Sequence, residues 1–254
     1  MTSTNAARVG AQVRVEHSRK RVRILLGGHL VADTTAPLLV WEKPYYPTYY
    51  VPASDVRAEL IPAGTAADPH LGTAELLTVQ VANGTTAERA ARRYRSSPAR
   101  QLDDAVRFDW DAMDEWLEED EPVYTHPRDP HTRVDILASS RHVRIEIDGV
   151  TVADSHSPRI LFETGLPPRY YLPLCDIRTE LLRPSETQTH CPYKGTAGYW
   201  SVHTGQAVHK DVLWIYRAPL PESQKIAGLA CFYDERVDVF VDGVQQRRPV
   251  TKFS

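Results

Sequence analysis

The feature that most constrains this chain is an internal duplication. Residues 22–60 align without a gap to residues 143–181, and about 17 of roughly 40 aligned positions are identical. Later positions realign, and these are 72–74 with 195–197, 94–95 with 216–217, Phe108 with Phe232, and Trp116 with Phe240. We therefore predict two similar domains, residues 1–125 and 126–254, with the boundary in the polar, proline-marked segment 125–130.

Strand and turn signals dominate both copies. Residues 22–33 and 143–154 each read as a hairpin, with turns at Gly27-Gly28 and at Asp148-Gly149. Residues 237–241 alternate valine with other residues, which is the periodicity of a strand, and by the repeat residues 113–120 also favour a strand over a helical turn. With 19 prolines in 254 residues, the pattern predicts an all-β, mainly antiparallel fold in each half.

Composition and charge narrow the functional classes. A net charge of −3 and a pI near 6.4 give no general attraction to nucleic acid or to an anionic membrane. The N-terminal stretch has no apolar core like that of a signal peptide, no apolar run approaches the ~20 residues of a membrane span, and the first 20 or so residues read as a frayed, polar segment. Three cysteines without a CxxC pair argue against a disulfide framework or a structural zinc site, so we expect a cytoplasmic protein without a metal.

A run of arginines in the first copy has two interpretations. It could contact nucleic acid, but its counterpart near residues 213–217 has no such cluster, so we interpret it as a solvated face. The arginines are Arg89, Arg92, Arg93, Arg95 and Arg100.

The segment 189–200 gathers most of the reactive side chains. His190, Cys191, Tyr193 and Lys194 offer an imidazole, a thiol, a phenol and an amine, and Pro192 with Gly195 marks a tight turn that precedes a strand (Tyr199, Trp200 and Val202). The first copy keeps the proline and the glycine of this turn but has Asp68 and Leu71 in place of the thiol and the amine. The hypothesis is that the first copy keeps the fold and the second keeps the site.

Each candidate in this segment has a functional and a structural interpretation. Cys191 is either a nucleophile, activated by the cation of Lys194 or His190, or a small packed thiol. Lys194 is either an anion-binding or Schiff-base lysine or a solvated turn residue. Adjacent side chains of an extended segment point to opposite faces, so His190 need not contact Cys191.

Other residues are candidate ligand contacts around this turn. Asp176, Arg178 and Glu180 would share one face of a strand, as the rim of a pocket or as an ion-pair ladder. The same row in the first copy, Asp55, Arg57 and Glu59, favours the structural role. The aromatic side chains of Tyr170, Tyr171, Tyr199 and Trp200 favour core packing over a stacking platform, although Tyr171 and Trp200 are also candidate ligand contacts.

These motifs resemble a known family. The Cys-Pro-Tyr-Lys-Gly run at 191–195 and the Tyr-Tyr-x-Pro-x-x-Asp segments at 49–60 and 170–181 are similar to the domain-of-unknown-function family numbered 427, in two tandem copies. The resemblance implies an antiparallel Mss4-like, or β-tent, architecture and makes Cys191, Lys194 and Gly195 part of the family signature. Zinc, used by relatives of that architecture, is not carried over, since the cysteine pairs are missing.

The family has also carried a nucleotidyltransferase label. That chemistry needs clustered carboxylates for Mg²⁺ beside a phosphate-binding loop. The sequence has no GxxxxGK[ST] or GxGxxG loop, and no Asp-x-Asp pair lies near Gly27-Gly28. It also lacks the GxSxG and HExxH motifs of common hydrolases. The label is therefore not carried over.

The sequence therefore predicts a small-metabolite-binding protein with its pocket in the second domain. Cys191, Tyr193, Lys194, Gly195 and Trp200 would line the pocket, with Tyr171, Asp176 and Arg178 near it, and the ligand would be anionic or carbonyl-bearing. One alternative is an enzyme with Cys191 as nucleophile, and another is an interaction or scaffold protein. The sequence predicts no nucleic-acid or membrane partner and leaves the cofactor and the oligomeric state open.

Overall fold

The computed structural model describes residues 13–205 and 207–251. The chain divides into two compact units, Met1–Asp129 and Pro130–Ser254, and the division falls within the predicted linker at 125–130. Part of the expected frayed N-terminus, residues 1–12, lies outside the described residues. Residues Arg14–His17 form an edge strand, β1, so the prediction of a frayed segment is wrong there. No helix in the described ranges has both the length and the apolar character needed to cross a membrane.

The first domain contains short strands joined mostly by tight turns. They are β1 (Arg14–His17), β2 (Val22–Leu26), β3 (His29–Thr34), β4 (Leu38–Lys43), β5 (Tyr46–Pro52), β6 (Glu59–Asp68), β7 (Gly72–Gln80), β8 (Thr86–Tyr94), β9 (Ala105–Phe108), β10 (Glu115–Glu118) and β11 (Glu121–Pro122). Single-turn 3₁₀ helices cover Ala53–Asp55, Arg100–Leu102 and Trp110–Ala112.

The second domain repeats this series. Its strands are β12 (Val134–Ala138), β13 (Val143–Ile147), β14 (Val150–Ser155), β15 (Arg159–Glu163), β16 (Arg169–Leu172), β17 (Leu182–Cys191), β18 (Gly195–His203), β19 (Val208–Tyr216), β20 (Ala230–Phe232), β21 (Asp238–Val241) and β22 (Val244–Gln245). Its 3₁₀ helices cover Leu174–Asp176, Thr179–Leu181 and Pro221–Ile226.

The two domains share one sheet topology. Each has a seven-stranded sheet, ordered β1-β4-β5-β9-β8-β7-β6 in the first and β12-β15-β16-β20-β19-β18-β17 in the second. Each also has a four-stranded sheet, β11-β10-β2-β3 or β22-β21-β13-β14. The paired strands run antiparallel. The all-β fold in two similar halves is confirmed, whereas the Mss4-like comparison stays a prediction.

In each domain the main core lies between the two sheets. In the first domain Ile24 of the small sheet packs with Val51 and Leu77 of the large sheet, and all three are fully buried. In the second, Ile145 packs with Leu172 and Leu213 in the same way. A second, smaller apolar cluster covers the other face of each seven-stranded sheet. The large sheet therefore has two covered faces, which matters for where the candidate residues point.

The predicted hairpin turns are confirmed. Gly27 and Gly28 have φ of 56° and 76°, and Asp148 and Gly149 have φ of 52° and 74°. Two successive positive φ angles define the type I′ turn, whose twist matches that of the flanking strands. Residues 115–118 also form the strand predicted by the repeat, β10, which pairs with β2.

The row of Asp176, Arg178 and Glu180 is not a strand, so the prediction of a shared strand face is wrong. Asp176 ends one 3₁₀ helix, and Glu180 lies in the next. Pro173 precedes the first of these turns and fixes its own φ near the helical range, while the following residues fold back instead of extending. The first copy turns at the same place, in Ala53–Asp55.

The arginine run lies along and just beyond β8, where several of its side chains bind carboxylates. Arg93 and Arg95 pair with Glu75 at 2.8 and 3.5 Å, and Arg92 lies 3.4 Å from Asp109. These half-exposed ion pairs belong to the sheet surface, in keeping with the interpretation as a solvated face.

Candidate functional site

The seven-stranded sheet of the second domain has one face rich in aromatic and polar side chains. Tyr171 of β16, Tyr199 of β18 and Tyr216 of β19 lie there, together with Trp214 and Cys231. All five are buried. The side chains of alternate strand residues share a face, so the register Ala197↔Tyr216 and Tyr199↔Trp214 places these rings side by side.

The turn at 192–194 joins β17 to β18 at the edge of this face. Gly195 has a φ of 94°, which favours glycine, and pairs with Cys191 across the hairpin. The backbone of the turn is fixed from outside, because the Leu220 N–H donates to the Lys194 carbonyl at 3.2 Å. The Ser223 hydroxyl, fully buried, donates to the Tyr193 carbonyl at 3.0 Å. The predicted tight turn is therefore present and is held rigidly.

Lys194 is the centre of the polar cluster. Its ammonium donates to Glu163 at 2.5 Å, and both side chains are mostly buried, at 12% and 10% exposure. Burial lowers the pKa of Lys194, but Cys191 and Glu163 oppose this by charge and hydrogen bonding, and the net pKa is raised above the ordinary value. The amine therefore stays protonated near neutral pH, which argues against a Schiff-base role.

Cys191 differs from the other two cysteines in its solvent exposure and its charged neighbour. It is partly exposed, whereas Cys231 is completely buried and Cys175 is exposed. Its thiol lies near enough to the Lys194 ammonium to contribute to the raised pKa of that lysine. Burial raises the pKa of the Cys231 thiol well above its usual range, so that thiol is inert. Of the three cysteines, Cys191 is the one that is partly exposed and lies near a buried cation.

The tyrosines around Cys191 stay protonated. Burial is the main cause of the raised pKa of Tyr216, and Cys191, Tyr199 and Glu163 raise it further. The pKa of Tyr171 is likewise raised by burial, and its hydroxyl accepts from Trp214 Nε1 at 3.2 Å. The hydroxyls of Tyr199 and Thr189 lie 2.9 Å apart. The hydroxyls of Tyr171 and Tyr216 are therefore neutral groups that can donate or accept a hydrogen bond.

Three predicted site residues do not join this cluster. His190 points to the other face of β17, where Nδ1 lies 2.9 Å from Thr196 Oγ1. Trp200 also lies on the opposite face from Tyr199, against the core between the two sheets. Arg178 pairs with Glu180 at 2.7 Å.

Asp176 belongs to the other side of the domain as well. It accepts from the hydroxyl of Ser155 at 2.6 Å, and Ser155 ends β14 of the four-stranded sheet. The neighbouring residue Ile177 forms a bridge to Ala153 of the same strand. The predicted place of Asp176 and Arg178 at the rim of a pocket stays a prediction. These residues tie the 3₁₀ turns to the small sheet.

Sequence reasoning missed Glu163, Tyr216 and Tyr233. Tyr233 lies with its hydroxyl 3.2 Å from that of Tyr199. Two of the three carried a signal in the duplication, because Glu163 and Tyr216 align with the identical residues Glu42 and Tyr94. Glu163 lies 31 positions before Lys194 and comes near it through the order of strands in the sheet.

The structure also contains a cavity of about 110 Å³ elsewhere in the second domain, lined by Pro167, Tyr170, Asp234 and Arg248 among others. None of the predicted site residues lines it. Burial raises the pKa of Asp234 to about 7, against the opposing charge of Arg169, which lies 3.6 Å away. Arg169 is bound more closely by Glu235, at 2.6 Å.

The first domain builds a different cluster at the place that corresponds to Lys194 and Glu163. Leu71, fully buried, stands where the second domain has Lys194. Glu42, the counterpart of Glu163, accepts from the Tyr50 hydroxyl at 2.6 Å and lies 3.2 Å from Arg107 Nε. Arg107 pairs with Tyr50 across β5 and β9, as Cys231 pairs with Tyr171 across β16 and β20. The carboxylate is common to both domains, but its cation lies on strand β9 in the first domain and on the β17–β18 turn in the second.

Comparison with known proteins gives one family. A search of curated proteins finds no match. The family model described as a domain of unknown function, DUF427, matches residues 14–119 and again residues 135–243. The two matches cover most of the chain and coincide with the two sets of strands. The chain therefore belongs to the DUF427 family and carries two tandem copies of its domain.

Proposed function

We propose that the second domain binds a small metabolite with an anionic or carbonyl oxygen, and that Lys194 is the residue that recognises this oxygen. The observation that carries the proposal is a protonated amine, mostly buried, at the edge of a tyrosine-lined sheet face. An ammonium group has three donors, and Glu163 accepts one of them. Donors therefore remain for a ligand oxygen.

The surroundings of Lys194 support binding of a polar oxygen. Hydrogen bonds from a charged donor are stronger than those between neutral groups, and partial exclusion of water strengthens them further. Glu163 keeps the amine charged and fixes its position, so little side-chain entropy is lost when a ligand binds. Cys191 and Tyr216 then supply neighbouring groups that can contact the rest of a small molecule.

Ligand-dependent thermal stabilisation tests this proposal. Panels of carboxylates, phosphates, aldehydes and ketones are screened against the full chain by differential scanning fluorimetry. A ligand of the second domain raises the midpoint of the wild-type protein and has no effect on Lys194→Met combined with Glu163→Gln. The double variant removes both charges, so no unpaired charge is left buried.

A matched control separates this site from general charge effects. Lys210→Met removes an exposed lysine of the same sheet and is expected to keep the full ligand response. If no compound stabilises the wild type selectively over the double variant, the binding proposal fails.

A second candidate is an enzyme with Cys191 as nucleophile. The observation that favours it is the position of this partly exposed thiol near a protonated amine. The test is the rate of iodoacetamide alkylation against pH in Cys175→Ser, in which buried Cys231 is left intact. A midpoint well below the usual thiol value of about 8.5, moved upward by Lys194→Met with Glu163→Gln, supports catalysis, and an ordinary midpoint rules it out.

A further inference from the structure

A second cluster of reactive side chains lies on the outer face of the four-stranded sheet of the second domain. His142, Asp154 and His156 each place one nitrogen or oxygen atom so that the three atoms lie within 4.8 Å of one another. The residues before β13 and at the end of β14 come together because the two strands are paired, with Val143 opposite Ser155. Asp154 and His156, two positions apart, point to the same side.

The geometry is close to that of a metal centre. His142 Nε2 lies 2.6 Å from Asp154 Oδ1, and the two imidazole rings stack with centroids 4.2 Å apart. Zinc binds imidazole nitrogen at about 2.0–2.1 Å, so two ligand atoms on one ion lie roughly 3.3 Å apart. Metal binding would replace the His142–Asp154 hydrogen bond and would require the side chains to rotate toward that spacing.

The first domain shows what this place contains without the histidines. Arg21 and Asp33, the counterparts of His142 and Asp154, form a two-bond ion pair at 2.7 and 2.6 Å, and Thr35 stands in place of His156. In the second domain the permanent cation is gone, the carboxylate is kept, and a second imidazole is added. Both changes replace an arginine fork with metal-binding groups.

We propose that His142, Asp154 and His156 bind one divalent transition metal ion, with Zn²⁺ as the favoured ion. Two imidazoles and a carboxylate are ligands of the type used by open zinc sites, which leave a further position for water or a substrate. The half-exposed position makes this an exchangeable ion, unlike the closed cysteine sites whose pattern the sequence lacks. The site is separate from Lys194 and Cys191, so the proposal does not depend on the function proposed for them.

Isothermal titration calorimetry of the EDTA-treated full chain with ZnCl₂ tests the site. The informative variant is His142→Arg with His156→Thr, which installs the ion pair of the first domain and is expected to keep the metal-free midpoint of unfolding. We expect the wild type to bind one more Zn²⁺ per chain than this variant, or to bind that ion at least about tenfold more tightly. A visible absorption band on Co²⁺ addition, lost in the variant, would identify imidazole and carboxylate ligation.

The chain offers a matched control on the same domain. His209 Nε2 lies 2.6 Å from Asp148 Oδ2, the same spacing as in the His142–Asp154 pair, but among the described residues no third His, Cys, Asp or Glu completes a metal-ligand group there. His209→Ala should therefore leave zinc stoichiometry and affinity unchanged. Equal zinc binding by wild type and by His142→Arg with His156→Thr would overturn the proposal, as would a loss of binding caused equally by His209→Ala.

Discussion

Each domain pairs a mostly buried glutamate with a cation, but the cation comes from a different part of the fold in each. Each buries a glutamate at the end of the fourth strand of its series, Glu42 or Glu163. In the first domain the compensating cation is Arg107, on a central strand, at 3.2 Å. In the second it is Lys194, on the hairpin turn at the far edge of the sheet, at 2.5 Å. A buried carboxylate needs a cationic or hydrogen-bonding partner, but that partner can come from different elements of the fold.

The position of the cation decides what else the site can contain. In the first domain Arg107 pairs with Glu42 from a central strand. The turn then carries the apolar Leu71, which packs in the apolar cluster on this face of the sheet. With the cation on the turn, the second domain has the small, buried Cys231 at the central position and brings the ammonium beside a thiol. The hypothesis that the first copy keeps the fold and the second keeps the site stays a prediction, and the first copy has an ion pair of its own at this place.

The largest difference that we expect between the domains is in their response to pH. Asp234 has a folded-state pKa raised to about 7 by burial, while Trp110 stands at this position in the first domain. A raised pKa gives stability that is complete below the unfolded-state value of about 3.8 and is lost as pH rises through 7. By linkage the loss in the second domain is up to about 4 kcal/mol between pH 4 and pH 8.

Urea unfolding across that pH range, with Asp234→Asn beside the wild type, measures the effect. In the variant, most of the fall in the free energy of unfolding that the wild type shows above pH 5 should be absent. Hydrogen exchange should assign the change to peptides of residues 130–251. An identical pH profile for both proteins would mean that Arg169 keeps Asp234 ionised in the folded state.

The next effect comes from removing the cation of the second domain. Lys194→Met leaves Glu163 buried without its partner, which should destabilise that domain by about 3 kcal/mol. Adding Glu163→Gln should restore most of the loss, because the neutral amide no longer needs a charge. Urea denaturation of the four proteins of this cycle gives the coupling energy, and additive effects would show that the pair is not coupled.

The converse exchange in the first domain should have a smaller effect. Arg107→Cys removes the cation beside Glu42 and should cost about 2 kcal/mol, less than for Lys194 since Tyr50 still donates to the carboxylate. Adding Leu71→Lys would recreate the arrangement of the second domain and recover part of the stability. If the double variant is no more stable than Arg107→Cys, a lysine on the turn does not replace Arg107 as the partner of Glu42.

The smallest effect should be equal in the two domains. Gly72 and Gly195 close the same turn with φ of 89° and 94°, so alanine at either position should destabilise its domain by about 1–2 kcal/mol through backbone strain. Thermal unfolding of Gly72→Ala and Gly195→Ala measures both. A much larger loss at Gly195 would show that the turn carrying Cys191 is held more tightly than its counterpart.

The fold was predictable because its signals are local or repeated. Two-residue turns at Gly27-Gly28 and Asp148-Gly149 fix hairpins, and the duplication transfers each assignment to the other half. The turn around Lys194 was predictable for the same reason. The partner Glu163 was not, because β15 and the turn are brought together by the order of strands, which no short motif encodes.

Two placements that differ from the sequence analysis have simple physical causes. Trp200 is an odd number of positions from Tyr199, and strand alternation alone sends it to the opposite face. Asp176 and Arg178 follow Pro173, and the chain there turns twice in 3₁₀ helices instead of extending. Their repetition in both copies reflects a shared corner of the fold, and repetition by itself does not distinguish a corner from a site.

The pairing of β10 with β2, and of β21 with β13, joins the end of each domain to its beginning. During synthesis neither small sheet can close until almost all of its own domain has left the ribosome. The segments Val22-Arg23-Ile24 and Val143-Arg144-Ile145 are identical in sequence, so both could compete for pairing with β10. N-terminal-first folding removes this competition, because β10 is sequestered before β13 emerges. Refolding from denaturant, with both copies present at once, should therefore produce swapped species that biosynthesis avoids.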